Sequence, residues 1–341
     1  MTMRDDTIAR FLSGTRWGDA RRVRLAGDAS NRRYDRLLGP DEGESHVLMD
    51  APPDRGEDIR PFVHIAEWLT QAGLAAPACL ERDERQGLLV LEDLGDDIYA
   101  RVLERAPAQE TPLYEAAVDM LAELHRHTPP EWLGTYDPPR MARLAALAWR
   151  WYRLEVTGAA EPREDAFAAA FEPVLARHAA PASVVILRDF HAENLIWRPD
   201  HNEHARVGLL DFQDALVGHP AYDLVSLLQD ARRDVSGRVQ DAMLDRFVRR
   251  TGADAEDFGA AFAVLGAQRN LRILGVFARL SLHFGKPHYV DLIPRVWSHL
   301  MADLDHPALT PVRDMVRADL PAPDQSHLQK LRDACGTIPT P

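Results

Sequence analysis

The chain has 341 residues, of which 46% are hydrophobic and 27% are charged, so the composition excludes a disordered protein and favours two domains. Its formal net charge of −13 argues against nucleic acid as a partner, because phosphates and an acidic surface repel each other. No run of eighteen apolar residues indicates a membrane span, and the charged N-terminal residues argue against a signal peptide. We therefore expect a cytoplasmic protein that contacts neither nucleic acid nor membrane, in an oligomeric state that the sequence leaves open.

The first 94 residues predict a small antiparallel sheet. A short helix at Thr7–Trp17 precedes three strand-like segments that polar turns separate. An amphipathic helix follows at Asp58–Gly73, and two apolar segments near residues 80 and 90 add two further strands. The first three strands are predicted at Arg22–Ala26, Arg33–Leu38 and His46–Asp50.

The first turn of this sheet, Gly27–Arg33, combines small residues with two arginines. Small side chains let backbone N–H groups approach a phosphate, so the turn is a candidate phosphate cover. An ordinary β-turn remains the alternative, because the segment has one glycine where a phosphate-covering loop has several. The candidate nucleotide contacts are Ser30, Asn31, Arg32 and Arg33.

The strand that ends at Asp50 lacks the lysine by which a protein kinase binds phosphates. Lys286 and Lys330 are the only lysines in the chain, and both lie far from this strand. Glu67, on the helix that would carry the partner of such a lysine, is therefore either a remnant of that pair or a solvated residue. Any phosphate contact in this half must come from arginine, polar side chains or backbone N–H groups.

The acidic segment Glu92-Asp93-Leu94 follows the last strand and precedes Gly95. A strand that leaves a domain with free backbone groups can bind the edge of an adenine ring, and glycine allows a change of direction. The alternative is a plain acidic linker. Both interpretations place a boundary near residue 94, so we expect a nucleotide-binding domain at residues 1–94 and a mainly helical domain at residues 95–341.

The second half shows helical periodicity, interrupted by a strand at Val184–Leu187. Prolines near residues 307–311 and 321–323 are taken as helix ends, and Gly336–Pro341 as a frayed terminus. The predicted helices are Pro112–His127, Arg140–Val156, Arg163–Ala179, one that begins near Ala221, Gly237–Thr251, Asp257–Leu280 and His288–Leu304.

The stretch Leu187–Asp214, LRDFHAENLIWRPDHNEHARVGLLDFQD, carries the chemistry. Its spacing allows a hairpin that brings Asp189, Asn194 and Asp211 together. Kinases use one Asp to accept the proton of the attacking hydroxyl, and an Asn and a second Asp to hold magnesium. We therefore predict Asp189 as the base and Asn194 and Asp211 as Mg²⁺ ligands, with a surface hairpin rich in acids as the alternative.

Three further residues near this hairpin are candidates. Asp223 lies in the first turn of the helix that begins near Ala221, where it either caps that helix or braces the catalytic loop. His191 and Glu193 lie within the loop and are candidates for contact with the acceptor. A loop histidine that only binds backbone is the alternative.

The segments LEDLGDD, LRDFHAENLIW and LLDFQDALVGHPAYDLVSLL occur in this order, and on them the chain resembles the aminoglycoside phosphotransferase and choline kinase superfamily. The turn LAGDASNRRY, the lysine-free strand end LMDAPP and the segment QRNLRILGVFARL look most like the bacterial kinases that phosphorylate N-acetylmuramate and N-acetylglucosamine at C1. The resemblance covers residues 10 to about 300. It implies an α+β, bilobal protein-kinase-like fold with a small antiparallel-sheet lobe and a larger helical lobe.

The same resemblance implies ATP and Mg²⁺ as cofactors and a small amino sugar as the partner. It also implies Glu92, Asp93 and Leu94 as the adenine hinge. Two departures stand out: Leu187 replaces a histidine that often supports the catalytic loop, and Arg32 or Arg33 must replace the missing lysine as phosphate clamp.

N-acetylmuramate carries a lactyl carboxylate, so a basic residue should face it. Arg269, Arg272 and Arg150 are the candidates, and Asn270 is the candidate for the acetamido group; salt-bridged residues on a helix surface are the alternative. Other functions that fit the sequence are phosphorylation of an aminoglycoside, choline or another small alcohol, and a nucleotide-binding pseudokinase that regulates a partner.

Overall fold

The computed structural model describes residues 3–25, 31–39, 43–159 and 163–338. The chain divides into two compact units, one of Met1–Gln109 with Glu193–Ala215 and one of Glu110–Ala192 with Leu216–Pro341. The predicted assignment of nucleotide binding to residues 1–94 and of catalysis to residues 95–341 stays a prediction.

The regular elements alternate early in the chain and become mainly helical later. The strands are β1 Arg21–Arg24, β2 Arg33–Leu38, β3 Ser45–Asp50, β4 Cys79–Asp83, β5 Leu88–Glu92, β6 Val184–Ile186, β7 Leu195–Trp197, β8 Val207–Leu209 and β9 Leu216–Gly218. The helices are α1 Met3–Ser13, α2 Arg60–Gln71, α3 Tyr99–Arg105, α4 Glu110–Leu124, α5 Pro138–Ala145, α6 Leu154–Thr157, α7 Glu164–His178, α8 Ala221–Leu228, α9 Gly237–Thr251, α10 Ala255–Leu282, α11 Ile293–Leu304, α12 Thr310–Asp319 and α13 Gln325–Asp333.

The first unit is built on an antiparallel sheet. Among the described residues the sheet has five strands in the order β1-β2-β3-β5-β4, so β5, the last of them in the sequence, lies inside the sheet. Alternate residues of β2, β3 and β5, including Leu37, Leu48 and Val90, pack with Ile8 and Leu12 of α1 in one apolar core. The predicted α+β class with an antiparallel sheet is confirmed.

The second unit is organised around α10, a 28-residue helix that packs against α5, α7, α8 and α11. Asp254 caps it by accepting the N–H groups of Glu256 and Asp257 at 3.0 and 2.9 Å. The middle of α10 is buried on all sides and carries Gln268, Arg269 and Asn270 into the interior. No helix in the described ranges is both long and apolar enough to cross a membrane.

The predicted helix Arg140–Val156 is wrong as a single element. The chain forms α5, then a π-helical turn at Ala148–Arg153, and then α6. A Cβ atom at Gly275 of α10 would lie 2.4 Å from the carbonyl carbon of Leu147, so the glycine is what allows the two backbones to meet. That close contact, made with a residue more than 120 positions away, is not visible in local periodicity.

Helices end before both groups of prolines, as expected: α11 at Leu304 and α12 at Asp319. The sequence did not indicate the two short helices that follow these prolines, α12 with Pro311 in its first turn and α13 capped by Asp324.

One expectation near the C-terminus is corrected. The segment expected to fray is fixed as far as Ile338 by two backbone hydrogen bonds to the end of α10. The Gly336 N–H donates to the Ser281 carbonyl at 3.0 Å, and the Ile338 N–H donates to the Leu282 carbonyl at 3.1 Å.

His125 is an unusual feature of the second unit. Both of its ring nitrogens are buried and make no hydrogen bond within the described residues, and its ring meets that of Phe247 edge-on at 5.7 Å. Burial, with a smaller effect of His219, lowers the pKa of His125 to about 3. The native protein therefore carries a neutral histidine that the unfolded chain protonates below its ordinary pKa of about 6.5.

This linkage gives a stability prediction. Because the folded pKa is depressed, wild-type protein loses stability as pH falls from about 6.5 towards 3, whereas His125→Phe lacks this loss. The difference in free energy of unfolding, variant minus wild type, should increase by about 1.4 kcal/mol for each pH unit as pH falls from 6 to 4, as measured by urea titration. His201→Gln, at an exposed histidine, is the matched control, and parallel pH curves for wild type and His125→Phe would contradict this assignment.

Candidate active site

The β7–β8 hairpin brings the two predicted metal ligands together. Leu195 pairs with Leu209 and Trp197 with Val207, so the residues that flank the paired strands also meet. The Leu210 N–H donates to the Asn194 carbonyl at 2.9 Å, and Asn194 Nδ2 lies 3.4 Å from Asp211 Oδ2. The predicted hairpin thus places Asn194 beside Asp211 within the first unit.

Asp211 is held in a restricted conformation. Its φ of 57° lies in the left-handed region, which costs a non-glycine residue about 1–3 kcal/mol and is common at functional sites. The Gln213 side chain donates to Asp211 Oδ1 at 2.7 Å, and the buried ring of Phe212 stacks on Phe62 of α2 at 4.9 Å. Kinases have the sequence Asp-Phe-Gly at their metal-binding turn, and Asp211-Phe212-Gln213 has glutamine in place of that glycine. The Gln213 side chain therefore orients the carboxylate.

These side chains suit a magnesium ion. Mg²⁺ in nucleotide sites binds one or two protein oxygens, with the remaining positions filled by phosphates and water. Asp211 offers carboxylate oxygens, and the Asn194 amide presents its oxygen after a half-turn of its terminal group. The donor set therefore fits a magnesium–nucleotide complex.

The loop before Asp189 is fixed by α8 in the second unit. Asp223 accepts the backbone N–H groups of Leu187 and Arg188 at 2.6 and 2.8 Å, and Ser226 Oγ donates to the Arg188 carbonyl at 3.3 Å. Arg188 has a φ of 72°, which lies in the left-handed region. The α8 side chains Asp223 and Ser226 thus bind the N–H and the carbonyl of a residue in an uncommon backbone conformation. Asp223 supplies here the support that Leu187, lacking an imidazole, does not give.

Asp223 is wholly buried, which raises the pKa of its carboxyl to about 7 against the opposing effect of the two N–H donors. Both protonation states keep acceptor lone pairs for the two N–H groups. The group that holds the loop before Asp189 is therefore a buried carboxyl whose protonation changes near neutral pH.

His191 and Glu193 differ sharply in environment. His191 is buried, and its Nε2 lies 3.4 Å from Arg232 Nη1. Burial, followed by the charges of Arg232 and Arg269, holds the pKa of His191 well below its ordinary value, so the ring is neutral at neutral pH. Glu193 is exposed. Their predicted acceptor contacts stay predictions.

The candidate acceptor residues on α10 are not on a helix surface. Arg269 is buried, donates to the Gln229 carbonyl at 3.4 Å and interacts electrostatically with Asp189. Asn270 is fully buried and donates to Gln229 Oε1 at 2.7 Å and to Asp303 Oδ2 at 3.1 Å. The alternative of solvated salt bridges is wrong for these two residues, and the amide hydrogens of Asn270 are occupied in this structure.

Arg272 extends this positive charge along α10. It is half-buried, its Nη1 donates to the Tyr222 hydroxyl at 3.2 Å, and Asp189 is among the groups that raise its pKa despite burial. Two arginines of α10 thus act electrostatically on Asp189 within the second unit.

The predicted hinge is held by ion pairs that the sequence did not indicate. Glu92 accepts from Arg198 Nη2 at 3.3 Å, and Asp93 accepts from Arg36 Nε at 2.6 Å. Leu94 is buried. The acidic side chains of the segment therefore bind arginines of the first unit, which argues against a solvated acidic linker.

The predicted phosphate turn is described only in part. Ser30 lies outside the described residues. Asn31 N and Arg32 Nε donate to Glu57 at 3.1 and 2.9 Å, while Arg33 Nη2 donates to Asp35 at 2.9 Å. The charges of Arg32 and Arg33 are thus partly balanced within the first unit, and their role as phosphate clamp stays a prediction.

The end of β3, where a protein kinase would have its lysine, forms an ion pair with α1. Asp50 of β3 accepts from Arg4 Nε of α1 at 2.9 Å and is buried. Glu67 pairs with Arg82 at 3.2 Å, and both side chains are about half exposed, as expected of the solvated alternative. The described part of this region therefore contains no lysine–glutamate pair.

Comparison with known proteins supports a common origin. The family model described as phosphotransferase enzyme family matches residues 22–262, which is more than half of the chain. The chain belongs to the phosphotransferase enzyme family. A Caulobacter vibrioides protein named N-acetylmuramate/N-acetylglucosamine kinase is 41% identical over 91% of this chain and 95% of its own length.

A second relative agrees with the first. A Pseudomonas aeruginosa protein with the same name is 33% identical over 87% of this chain and 88% of its own length. The crystal structure of choline kinase LicA from Streptococcus pneumoniae matches the fold with a TM-score of 0.59 at 13% identity, over 88% of this chain and 100% of that one. The resemblance found in the sequence motifs, including the kinase-like fold of this phosphotransferase, is confirmed.

Proposed function

We propose that this phosphotransferase transfers the γ-phosphoryl group of ATP to the anomeric C1 hydroxyl of N-acetylmuramate, N-acetylglucosamine or both. The 41% identity to a kinase of that name over nearly the whole chain carries the acceptor class. Two observations, each within one unit, support the reaction type: Asn194 lies beside Asp211 in the first unit, and the backbone before Asp189 is fixed by Asp223 in the second.

Asp189 is the proposed base. It accepts the proton of the C1 hydroxyl as that oxygen attacks the γ-phosphorus, and the bond from phosphorus to the leaving oxygen of ADP breaks. A hemiacetal hydroxyl is more acidic than an ordinary alcohol, so positioning contributes more than base strength. Asp223 and Ser226 supply that positioning by fixing Arg188, the residue before the base.

Asn194 and Asp211 are the proposed holders of Mg²⁺. The ion, when bound with ATP, neutralises charge on the phosphates. Gln213 and the packing of Phe212 keep the Asp211 carboxylate in one orientation. We further propose nucleotide binding by residues 1–94, through the Ser30–Arg33 turn and the Glu92–Leu94 segment, and acceptor binding by residues 95–341, with Arg269, Asn270, His191 and Glu193 as candidate contacts.

The acceptor class is tested by measuring ADP release on addition of a panel of sugars and amines to the full-length protein with ATP and Mg²⁺. We expect turnover with N-acetylmuramate or N-acetylglucosamine and none with choline or aminoglycosides. Turnover with a cationic acceptor alone would refute the proposed class, and nucleotide binding without turnover on any acceptor would favour a regulatory pseudokinase.

A further inference from the structure

The second unit contains a cluster of three arginines, Arg150, Arg272 and Arg279, which we call the arginine cluster. Arg272 and Arg279 are seven residues apart on α10 and so lie on one helix face, with Gly275 between them. The π-helical turn contacts Gly275 through Leu147 and Ala148 and carries Arg150 two residues later. The missing side chain at Gly275 therefore lets the π-helical turn approach α10, and Arg150 and Arg272 both act electrostatically on Arg279.

Two members of the cluster, Arg150 and Arg279, lack the counter-charges that surround other arginines of the described residues, whereas Arg272 interacts with Asp189. Arg279 and Arg150 make no ion pair within the described ranges, and Arg279 Nε is buried without a hydrogen-bond partner there. The described charges that shift the pKa of Arg279 are those of Arg272 and Arg150, which lower it in addition to burial. Arg272 and Arg279 are half-buried and Arg150 is exposed. Like charges held close together oppose folding, so an anion bound there would relieve a cost that the free protein bears.

Other arginines in the same unit show the contrast. Arg246 and Arg250 share the carboxylate of Asp119. Arg269 interacts with both Asp189 and Asp230 and is to that extent balanced. The arginine cluster differs because its aromatic neighbours, Trp151 and Phe284, lie about 6 Å from Arg150 and Arg279 and supply no negative charge.

The cluster adjoins the proposed base. Arg272 interacts electrostatically with Asp189, and Arg279 lies about 10 Å farther along the α10 axis at 1.5 Å per residue. An acceptor with its C1 hydroxyl at Asp189 reaches Arg279 when its ring extends along α10, and this is the orientation that the proposal requires. On N-acetylmuramate the lactyl carboxylate is attached at C3, away from the reacting hydroxyl, whereas N-acetylglucosamine has an uncharged hydroxyl there.

We propose that Arg150, Arg272 and Arg279 form the subsite for the lactyl carboxylate of N-acetylmuramate. This assignment rests on the proposed function and makes Arg279, which the sequence did not single out, a residue that determines preference between the two sugars. Bidentate contact from guanidinium groups matches a carboxylate, and the uncharged sugar gains nothing from the cluster.

The test compares both sugars with wild type, Arg279→Met, Arg279→Lys and the control Arg249→Met, which removes an exposed arginine from α9. For Arg279→Met, kcat/KM for N-acetylmuramate should fall about 10- to 100-fold, the range for a charged hydrogen bond, with N-acetylglucosamine changed less than about twofold. Arg279→Lys should retain part of the preference. Thermal stability of Arg279→Met should equal or exceed that of wild type, because one of three like charges is removed.

The outcomes separate the subsite from the proposed function. A wild-type protein that phosphorylates neither sugar refutes both. A wild-type protein that phosphorylates both sugars, with Arg279→Met losing the two activities equally or losing neither, refutes the subsite alone. An equal loss would point to contact with the transferred phosphate, which both reactions share.

Discussion

Asp189→Asn is expected to lower kcat by about 10²- to 10⁴-fold, the usual contribution of a general base, while nucleotide binding remains intact. Asparagine keeps the size and hydrogen-bonding shape of the side chain but cannot take up the proton of the acceptor hydroxyl. The loop itself should stay folded, because its support comes from the backbone groups of Leu187 and Arg188 bound to Asp223.

Steady-state kinetics with the sugar acceptor, and calorimetric titration with ADP and Mg²⁺, measure the two properties separately. Asp245→Asn, at an exposed position on α9, is the matched control and should behave as wild type. A kcat for Asp189→Asn within about tenfold of wild type would exclude Asp189 as the base.

Asp223→Ala is expected to have the largest effect on the fold around the site. It leaves two buried N–H groups without an acceptor and releases Arg188 from the left-handed conformation that Asp223 and Ser226 maintain. Each unpaired buried donor costs about 1–3 kcal/mol, so the free energy of unfolding should fall by about 2–5 kcal/mol. In the folded fraction kcat should fall more than nucleotide affinity does, because the released residues Leu187 and Arg188 directly precede the proposed base Asp189.

The effect of Asp223 should also depend on pH. Burial raises the pKa of this carboxyl to about 7, so the native protein binds a proton that the unfolded chain releases above its ordinary pKa of about 4. The contribution of Asp223 to stability is therefore greatest at acid pH, declines as pH rises to about 7 and is constant above. Asp223→Asn should be less stable than wild type, and this difference in the free energy of unfolding should shrink by up to about 1.4 kcal/mol for each pH unit as pH rises through this window.

Urea titrations of wild type and Asp223→Asn at several pH values test this. A deficit that does not change between pH 5 and 7 would contradict a buried carboxyl with a raised pKa at this position. A fully stable and active Asp223→Ala would show instead that the loop does not need the two hydrogen bonds.

The sequence predicted the β7–β8 hairpin, with Asn194 beside Asp211, because the signals for it are local. Asp189 and Asn194 lie five residues apart, and the apolar strand that ends before Asp211 pairs with the strand that follows Asn194, so spacing alone indicates where these residues lie. The five strands of the sheet were likewise predictable from alternating polarity and turn residues. Boundaries moved by a few residues, as at α1, where Asp5 and Asp6 favour an earlier first turn.

Features that depend on distant parts of the chain were not predictable. The π-helical turn requires Gly275, and the hinge ion pair of Arg36 with Asp93 joins residues 57 positions apart. Gln213 replaces the glycine of the kinase turn and holds Asp211 through its side chain, which only the folded geometry reveals. Arg279 lies within the segment QRNLRILGVFARL, but nothing in the sequence distinguishes it from the other arginines there; its interest lies in the charges that surround it in the fold.

The burial of Asn270 illustrates the same limit. Helical periodicity places it on α10, but its neighbours are Gln229, which directly follows α8, and Asp303 of α11. Burial raises the pKa of Asp303 to about 8 against the hydrogen bonds from these amides. A polar group of this kind inside a helical core depends on three separate segments, so no single stretch of sequence identifies it.

The central claim is that the product is a sugar 1-phosphate. Phosphorus NMR of the purified product from ATP and N-acetylmuramate or N-acetylglucosamine tests it most directly. We predict a phosphomonoester resonance split into a doublet by the anomeric proton. A triplet from coupling to the C6 methylene protons, or no phosphorylated sugar from either substrate, would contradict it.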